Sequence, residues 1–208
     1  MNTLYGKRVI LFPFEKADFG FFDKLLTNGN KARMFEFLEQ EDVMSSLYEG
    51  MLNGNFSIWV SKTIQGKASK PVGIVFVAHV NDHLHGIKFM PDATFLKGMS
   101  KYLWKKKCHD CKGKAKSKDC ATCNGIGYIF PQTRNTYIED TLRVVLEQLE
   151  GEVRVETKLP TRDVLLSTLV QKHGFKREGT LKKYALVDGE YIDISIYAKI
   201  KEDEEDGS

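Results

Sequence analysis

The chain has 208 residues, 42% of them hydrophobic and 11% aromatic, with a formal net charge of +3. This composition excludes a disordered chain and fits one soluble globular domain with room for a small inserted module. No stretch approaches the ~20 apolar residues of a membrane span, so no membrane association is expected. No targeting segment precedes the first strand-like run, and a cytoplasmic, reducing setting is expected.

In chain order, residues 8–14 (RVILFPF) read as a strand that ends at a proline. Lys16-Ala-Asp18 opens an amphipathic helical segment with Phe19, Phe22, Leu25 and Leu26 at helical spacing, and Gly29-Asn30 stops it. A second helix is expected over residues 39–52, with Val43, Leu47 and Met51 on one stripe. Residues 56–60 and 71–78 read as a strand hairpin, and a further strand is expected at 86–90. A short helix is expected near 99–104, and a buried strand at 126–130.

The helix over residues 137–150 carries the clearest periodicity, with Ile138, Leu142, Val145, Leu146 and Leu149 on one face. Thr136 and Glu139 have capping-box spacing at its start. A strand over 152–157 alternates Val153 and Val155, and residues 163–173 form a helix closed by Gly174. Strands at 181–187 and 191–200 are joined by Asp188-Gly189. This order predicts an α/β fold with a mixed central sheet flanked by helices. The last eight residues hold one lysine and five acids, and the remaining 30 basic and 23 acidic residues carry +7. Residues 201–208 therefore read as a solvated, disordered acidic tail.

All four cysteines fall in one 16-residue window, Cys108-x2-Cys111-x8-Cys120-x2-Cys123. Two C-x-x-C pairs a short loop apart supply four thiolates, the donor set of a tetrahedral structural Zn²⁺. Glycines after each pair, Gly113 and then Gly125 and Gly127, let backbone N–H groups turn toward the sulfurs. Two disulfides are the alternative, which a reducing setting disfavours. The half-motifs resemble the cysteine-rich module of J-domain chaperones. Four cysteines complete a zinc site, so His83, His85 and His109 are not required as ligands. Lysines crowd the same region, at 101, 105, 106, 107, 112, 114, 116 and 118. This Lys101–Lys118 cluster suits contact with phosphates of nucleic acid or with a protein, or is a solvated loop surface.

Residues 163–196 (DVLLSTLVQKHGFKREGTLKKYALVDGEYIDISI) resemble the closing half of the GNAT superfamily of N-acetyltransferases. They are most similar to the branch that contains the ribosomal-protein N-terminal acetyltransferases. Lys172, Gly174, Phe175, Glu178, Gly179, Asp188, Gly189, Tyr191 and Asp193 carry the likeness. Residues 8–18 resemble the family's first strand and helix start. Tyr128-Ile-Phe-Pro131 and the helix from Tyr137 resemble its cofactor strand and the helix after it. The resemblance implies a GNAT-like domain over residues 1–200, with the zinc module inserted at 101–126. It further implies an acetyl-CoA-dependent N-acyltransferase whose acceptor is an amine of a protein, peptide or small molecule.

By the same resemblance, Tyr128, Ile129 and Phe130 would offer backbone to the pantetheine arm. Arg134, Asn135, Thr136, Tyr137 and Ile138 would surround the pyrophosphate at a helix N-terminus. Asp163 stands where many members have Asn, and Val170 where others carry a general-acid tyrosine. Arg134 and Thr136 occupy the positions of the family's two loop glycines. Acid–base candidates are Glu36, Glu39, Glu41, Tyr128 and Tyr184, each equally readable as a solvated or core side chain. The missing glycines keep a second reading open, a GNAT-fold binding or structural protein without catalysis that contacts nucleic acid through its lysine-rich module.

Overall fold

The computed structural model describes residues 1–34, 43–64, 69–93, 95, 106–107, 128–129 and 137–201. Within them the chain forms two compact units, Met1–Ala93 with Tyr137–Ser208, and Thr94–Thr136.

The larger unit is built on an eight-stranded mixed sheet, as the order of elements predicts. The strands are β1 (Leu4–Tyr5), β2 (Val9–Pro13), β3 (Phe56–Thr63), β4 (Pro71–Asn81), β5 (Leu84–Pro91), β8 (Arg154–Pro160), β9 (Lys176–Val187) and β10 (Glu190–Ile200). Their spatial order is β1-β2-β3-β4-β5-β8-β10-β9. β5 and β8 run parallel, and every other neighbouring pair is antiparallel.

Side chains alternate across a strand, so each face meets a different layer. Helices α1 (Phe19–Leu25) and α2 (Val43–Leu52) cover one face. There Phe22, Leu25 and Leu47 pack with Ile58, Val60, Ile74, Phe76 and Met90. The rings of Phe22 and Phe76 meet edge to face at 6.1 Å, a geometry favoured by the ring quadrupole.

Helix α3 (Tyr137–Gln148) lies on the other face, where the buried Ser61 and Thr141 hydroxyls meet at 2.6 Å. Its apolar stripe is buried as the periodicity requires. Asp140 on α3 is fully buried and accepts from the backbone N–H of Arg8 at 2.6 Å and of Val9 at 3.3 Å. Arg143 donates to the same carboxylate at 2.7 Å. These contacts fasten α3 to the start of β2.

Helix α4 (Val164–Lys172) is capped by Asp163, whose side chain accepts from Leu166 N–H at 3.2 Å. Gly174 ends it at φ +90°, a value that a side chain rarely tolerates. Asp188 and Gly189 both have positive φ, 50° and 82°, which gives the tight β9–β10 turn its primed geometry.

The structure departs from the sequence expectations in three places. The helical segment begun at Lys16 is not stopped by Gly29-Asn30: a π turn over Leu26–Asn30 and a 3₁₀ turn over Lys31–Arg33 continue it. Asn30 is fully buried because its side-chain amide donates to the carbonyls of Leu25 at 2.9 Å and Pro91 at 3.1 Å. β9 begins at Lys176 rather than 181, and a bulge accommodates it. There Lys183 takes φ 47° and its N–H reaches Asp193 at 2.8 Å.

The third departure is topological: among the described residues, the strand expected at 126–130 does not join the eight-stranded sheet. Tyr128–Ile129 (β7) pairs antiparallel with Lys106–Lys107 (β6) in a separate two-stranded sheet of the smaller unit. Short apolar runs carry no information about which neighbour they pair with, so the register was not readable locally. The helix expected near 99–104 and the tail 202–208 lie outside the described residues.

Replacing Asp140 with Ala strands two backbone donors and the Arg143 guanidinium. Chemical denaturation is expected to show a loss of about 2–3 kcal/mol, the worth of hydrogen bonds to a charged group, with no change in the secondary-structure content of the native state.

Candidate active site

The parallel join of the sheet is short. β5 and β8 pair only at Leu84↔Arg154, His85↔Val155 and Gly86↔Glu156. Beyond Gly86 and Glu156 each strand keeps its outer neighbour, β5 as far as Pro91 on β4 and β8 as far as Pro160 on β10, but not the other. The two strands thus open a gap with unpaired backbone edges on both sides, which an extended ligand can use.

A cavity of about 270 Å³ lies at the root of this gap, lined by Gly86, Ile87 and Lys88 of β5 and by Glu156, Thr157 and Lys158 of β8. Phe56, Phe76, Ala78, Val80 and Leu84 complete its apolar wall. Phe76 belongs to the layer under α1 and α2, so the cavity opens on that face. Its carboxylate, Glu156, is held at Oε2 by Arg154 at 3.0 Å. Arg154 also donates to Glu178 at 2.8 Å. These hydrogen bonds raise the Arg154 guanidinium above its ordinary pKa and lower that of Glu178.

The far end of the gap is bridged from the α1 side. The 3₁₀ turn Lys31–Arg33 touches both β5 and β8. Arg33 donates to Asn30 Oδ1 at 2.7 Å and to Asp163 at 2.6 Å. The Arg33 and Asp163 side chains are 13% and 7% exposed, so this ion pair is largely desolvated and costly to break singly. Asp163, expected from the resemblance as a cofactor contact, here caps α4 and anchors Arg33.

Helix α3 begins at Tyr137 and Ile138, its first backbone N–H groups lacking intrahelical acceptors. Ile138 is fully buried. Glu139 meets Lys172 Nζ at the end of α4; its expected capping-box partner, Thr136, lies outside the described residues. His173, the next residue, has its imidazole pushed below the ordinary value, chiefly by burial.

Of the remaining expected residues, Tyr128 and Ile129 form β7, and Tyr184 is half exposed on β9. Phe130, Arg134, Asn135, Thr136, Glu36, Glu39, Glu41 and the four cysteines lie outside the described residues. Among the described residues no group of three or more His, Cys, Asp or Glu side chains is placed to hold a metal ion. None of their helices is long and apolar enough to cross a membrane.

Glu156 is the residue that sequence reasoning missed. A signal for it exists: Arg154, Glu156 and Lys158 alternate along a strand set between two helices. Charge at every second position puts these three side chains on one face of the strand.

No protein-family model matches the chain, and no curated protein matches it. Solved structures do. A ribosomal L7/L12 α-N-protein acetyltransferase in complex with coenzyme A aligns with TM-score 0.62 at 13% identity, covering 96% of this chain and 98% of that one. Spermidine N-acetyltransferase from Vibrio cholerae, in complex with coenzyme A and spermine, aligns with TM-score 0.58 at 16% identity, covering 92% and 95%. A probable acetyltransferase of the GNAT family from Chromobacterium violaceum aligns with TM-score 0.55 at 14% identity, covering 95% and 85%. The fold is that of the GNAT acetyltransferases.

His173 couples this region to pH. Its folded-state pKa is lowered, so the unfolded chain binds the proton more readily and stability rises with pH. The stabilisation is present above the ordinary histidine value of about 6.5 and is lost as pH falls below it. Thermal melts of the wild type should drop between pH 7 and pH 5, and His173→Asn should flatten part of that drop.

Proposed function

We propose that this chain transfers an acetyl group from acetyl-CoA to a primary amine, with the reaction centred where β5 and β8 part. The observation that carries this reading is the carboxylate of Glu156 at the last paired register position, lining a cavity at the root of an open parallel join. The shared fold with coenzyme A-bound acetyltransferases supports it.

The pantetheine arm is peptide-like and matches the unpaired edge of β5 beyond Gly86, in the role first expected of Tyr128, Ile129 and Phe130. The pyrophosphate suits the N-terminus of α3 at Tyr137 and Ile138, where the helix dipole favours an anion. Arg134, Asn135 and Thr136 immediately precede that terminus in sequence.

Glu156 then serves as general base. An ammonium acceptor entering from the α1–α2 face gives it a proton and becomes nucleophilic. The amine nitrogen attacks the thioester carbonyl, and collapse of the tetrahedral adduct breaks the C–S bond. Coenzyme A departs as the thiol once its sulfur takes up a proton, and the acetyl group remains as an amide. The acceptor class stays an amine of a protein, peptide or small molecule.

The cysteine module is proposed as a structural zinc site of Cys108, Cys111, Cys120 and Cys123. Its support is the β6–β7 ladder, in which Lys107 faces Tyr128. That ladder brings together the two ends of the segment bearing all four thiolates, and a four-thiolate donor set is closed to substrate. Zinc here would hold the smaller unit folded and take no part in acyl transfer.

Titration calorimetry should show acetyl-CoA binding; no heat at millimolar concentration would overturn the enzyme reading in favour of a GNAT-fold protein without catalysis. Glu156→Gln should lower kcat about 10²–10⁴-fold, the usual share of a general base, while leaving acetyl-CoA affinity within twofold. Chelation should remove one zinc per chain and expose amides of residues 94–136 to hydrogen exchange, with the eight-stranded sheet still protected; concerted loss of both would contradict a purely local role.

A further inference from the structure

A second cluster of chemistry-bearing side chains sits on the sheet face away from the cavity. His79 of β4 and His85 of β5 are direct cross-strand partners. Their Nδ1 atoms stand 3.1 Å apart, with the rings near perpendicular at 83°. Each ring's other nitrogen is already held. His79 Nε2 meets Ser57 Oγ of β3 at 2.8 Å, and His85 Nε2 meets Glu152 Oε2 at 2.9 Å.

We propose that His79 and His85 chelate one divalent late transition ion through their Nδ1 atoms, with Ser57 and Glu152 orienting the rings from behind.

Geometry carries the argument. A metal at the usual ~2.0–2.1 Å from each imidazole nitrogen, with the nitrogens 3.1 Å apart, subtends about 95–100°. That angle lies between the right angle of cis ligands in square or octahedral coordination and the tetrahedral angle. Imidazole nitrogen suits nickel, copper and zinc.

The outer contacts are those that a metal-bound histidine needs. A ligating ring donates its far N–H to a carboxylate or another acceptor, which fixes the tautomer and leaves the near nitrogen aimed at the ion. Glu152 can only accept, so His85 carries its hydrogen on Nε2 and offers a bare Nδ1 lone pair. Without an ion, the one hydrogen between the Nδ1 atoms belongs to His79. Metal binding at Nδ1 shifts the His79 hydrogen to Nε2 with no net release of a proton, and Ser57 then accepts from His79 Nε2. Two protein donors leave the remaining coordination positions to water or to a small ligand.

The location gives such an ion a consequence. His85 lies in the three-residue join of β5 and β8, opposite Val155, and Glu152 lies two residues before β8. A chelate on β4 and β5 that also fixes Glu152 would tie the two halves of the sheet at the root of the gap.

Nickel(II) is the probe, added to the zinc-loaded full chain. One equivalent is expected to bind, with a nitrogen and oxygen first shell by X-ray absorption and a higher Tm. His79→Asn should abolish this binding. His79 lies on the surface, so the variant should keep the wild-type melting temperature without nickel. Glu152→Gln should weaken nickel affinity about 10–100-fold, as removal of an orienting partner does. Retained affinity in His79→Asn, a sulfur first shell from the cysteines, or no binding at millimolar nickel would each overturn the site. Unchanged affinity in Glu152→Gln would overturn the orienting role of the carboxylate.

Discussion

Three residue pairs hold this sheet together. β1 to β5 form one antiparallel half and β8, β10 and β9 the other, and only Leu84–Gly86 against Arg154–Glu156 joins them in register. A longer parallel ladder would close the gap, and a shorter one would leave two sheets. The join is reinforced by His85 of β5, which meets Glu152 ahead of β8. Within the second half, Arg154 ties Glu156 to Glu178 across β10. The proposed general base and the proposed histidine chelate both lie on or beside those three pairs.

The join also explains why α1 does not simply stop at its glycine. At the far end of the gap, β5 and β8 no longer satisfy one another, and the chain after α1 fills the space. Asn30 caps the carbonyl of Pro91, and Arg33 reaches the N-cap of α4. A buried amide and a largely buried ion pair are tolerable there because each polar atom named has a partner. The result is a gap braced at its root and its mouth, with the cavity between.

Legibility followed the range of the interactions. The stripe Ile138, Leu142, Val145, Leu146 and Leu149 is a local pattern and identified α3 correctly. Gly174 and Asp188-Gly189 announced a helix end and a turn through backbone conformation alone. The partner of β8 was not local. The runs at 86–90 and 126–130 are both short and apolar, and nothing local says that the first joins the large sheet and that Tyr128–Ile129 pairs with Lys106–Lys107. Glu156 was not singled out for a related reason: its strand was read from Val153 and Val155, the opposite phase of the alternation.

From the sequence alone came the α/β class, the succession of strands and helices, and the grouping of four cysteines in one 16-residue window, which rest on periodicity, turn chemistry and spacing between residues close in the chain. The likeness of residues 163–196 to the GNAT superfamily came separately, from matched residues. Only the tertiary structure decided that β5 lies beside β8, that Glu156 lines the cavity, and that His79 and His85 stand Nδ1 to Nδ1. Those facts depend on which strands pair and at which register, and a one-residue slip moves every side chain to the opposite face.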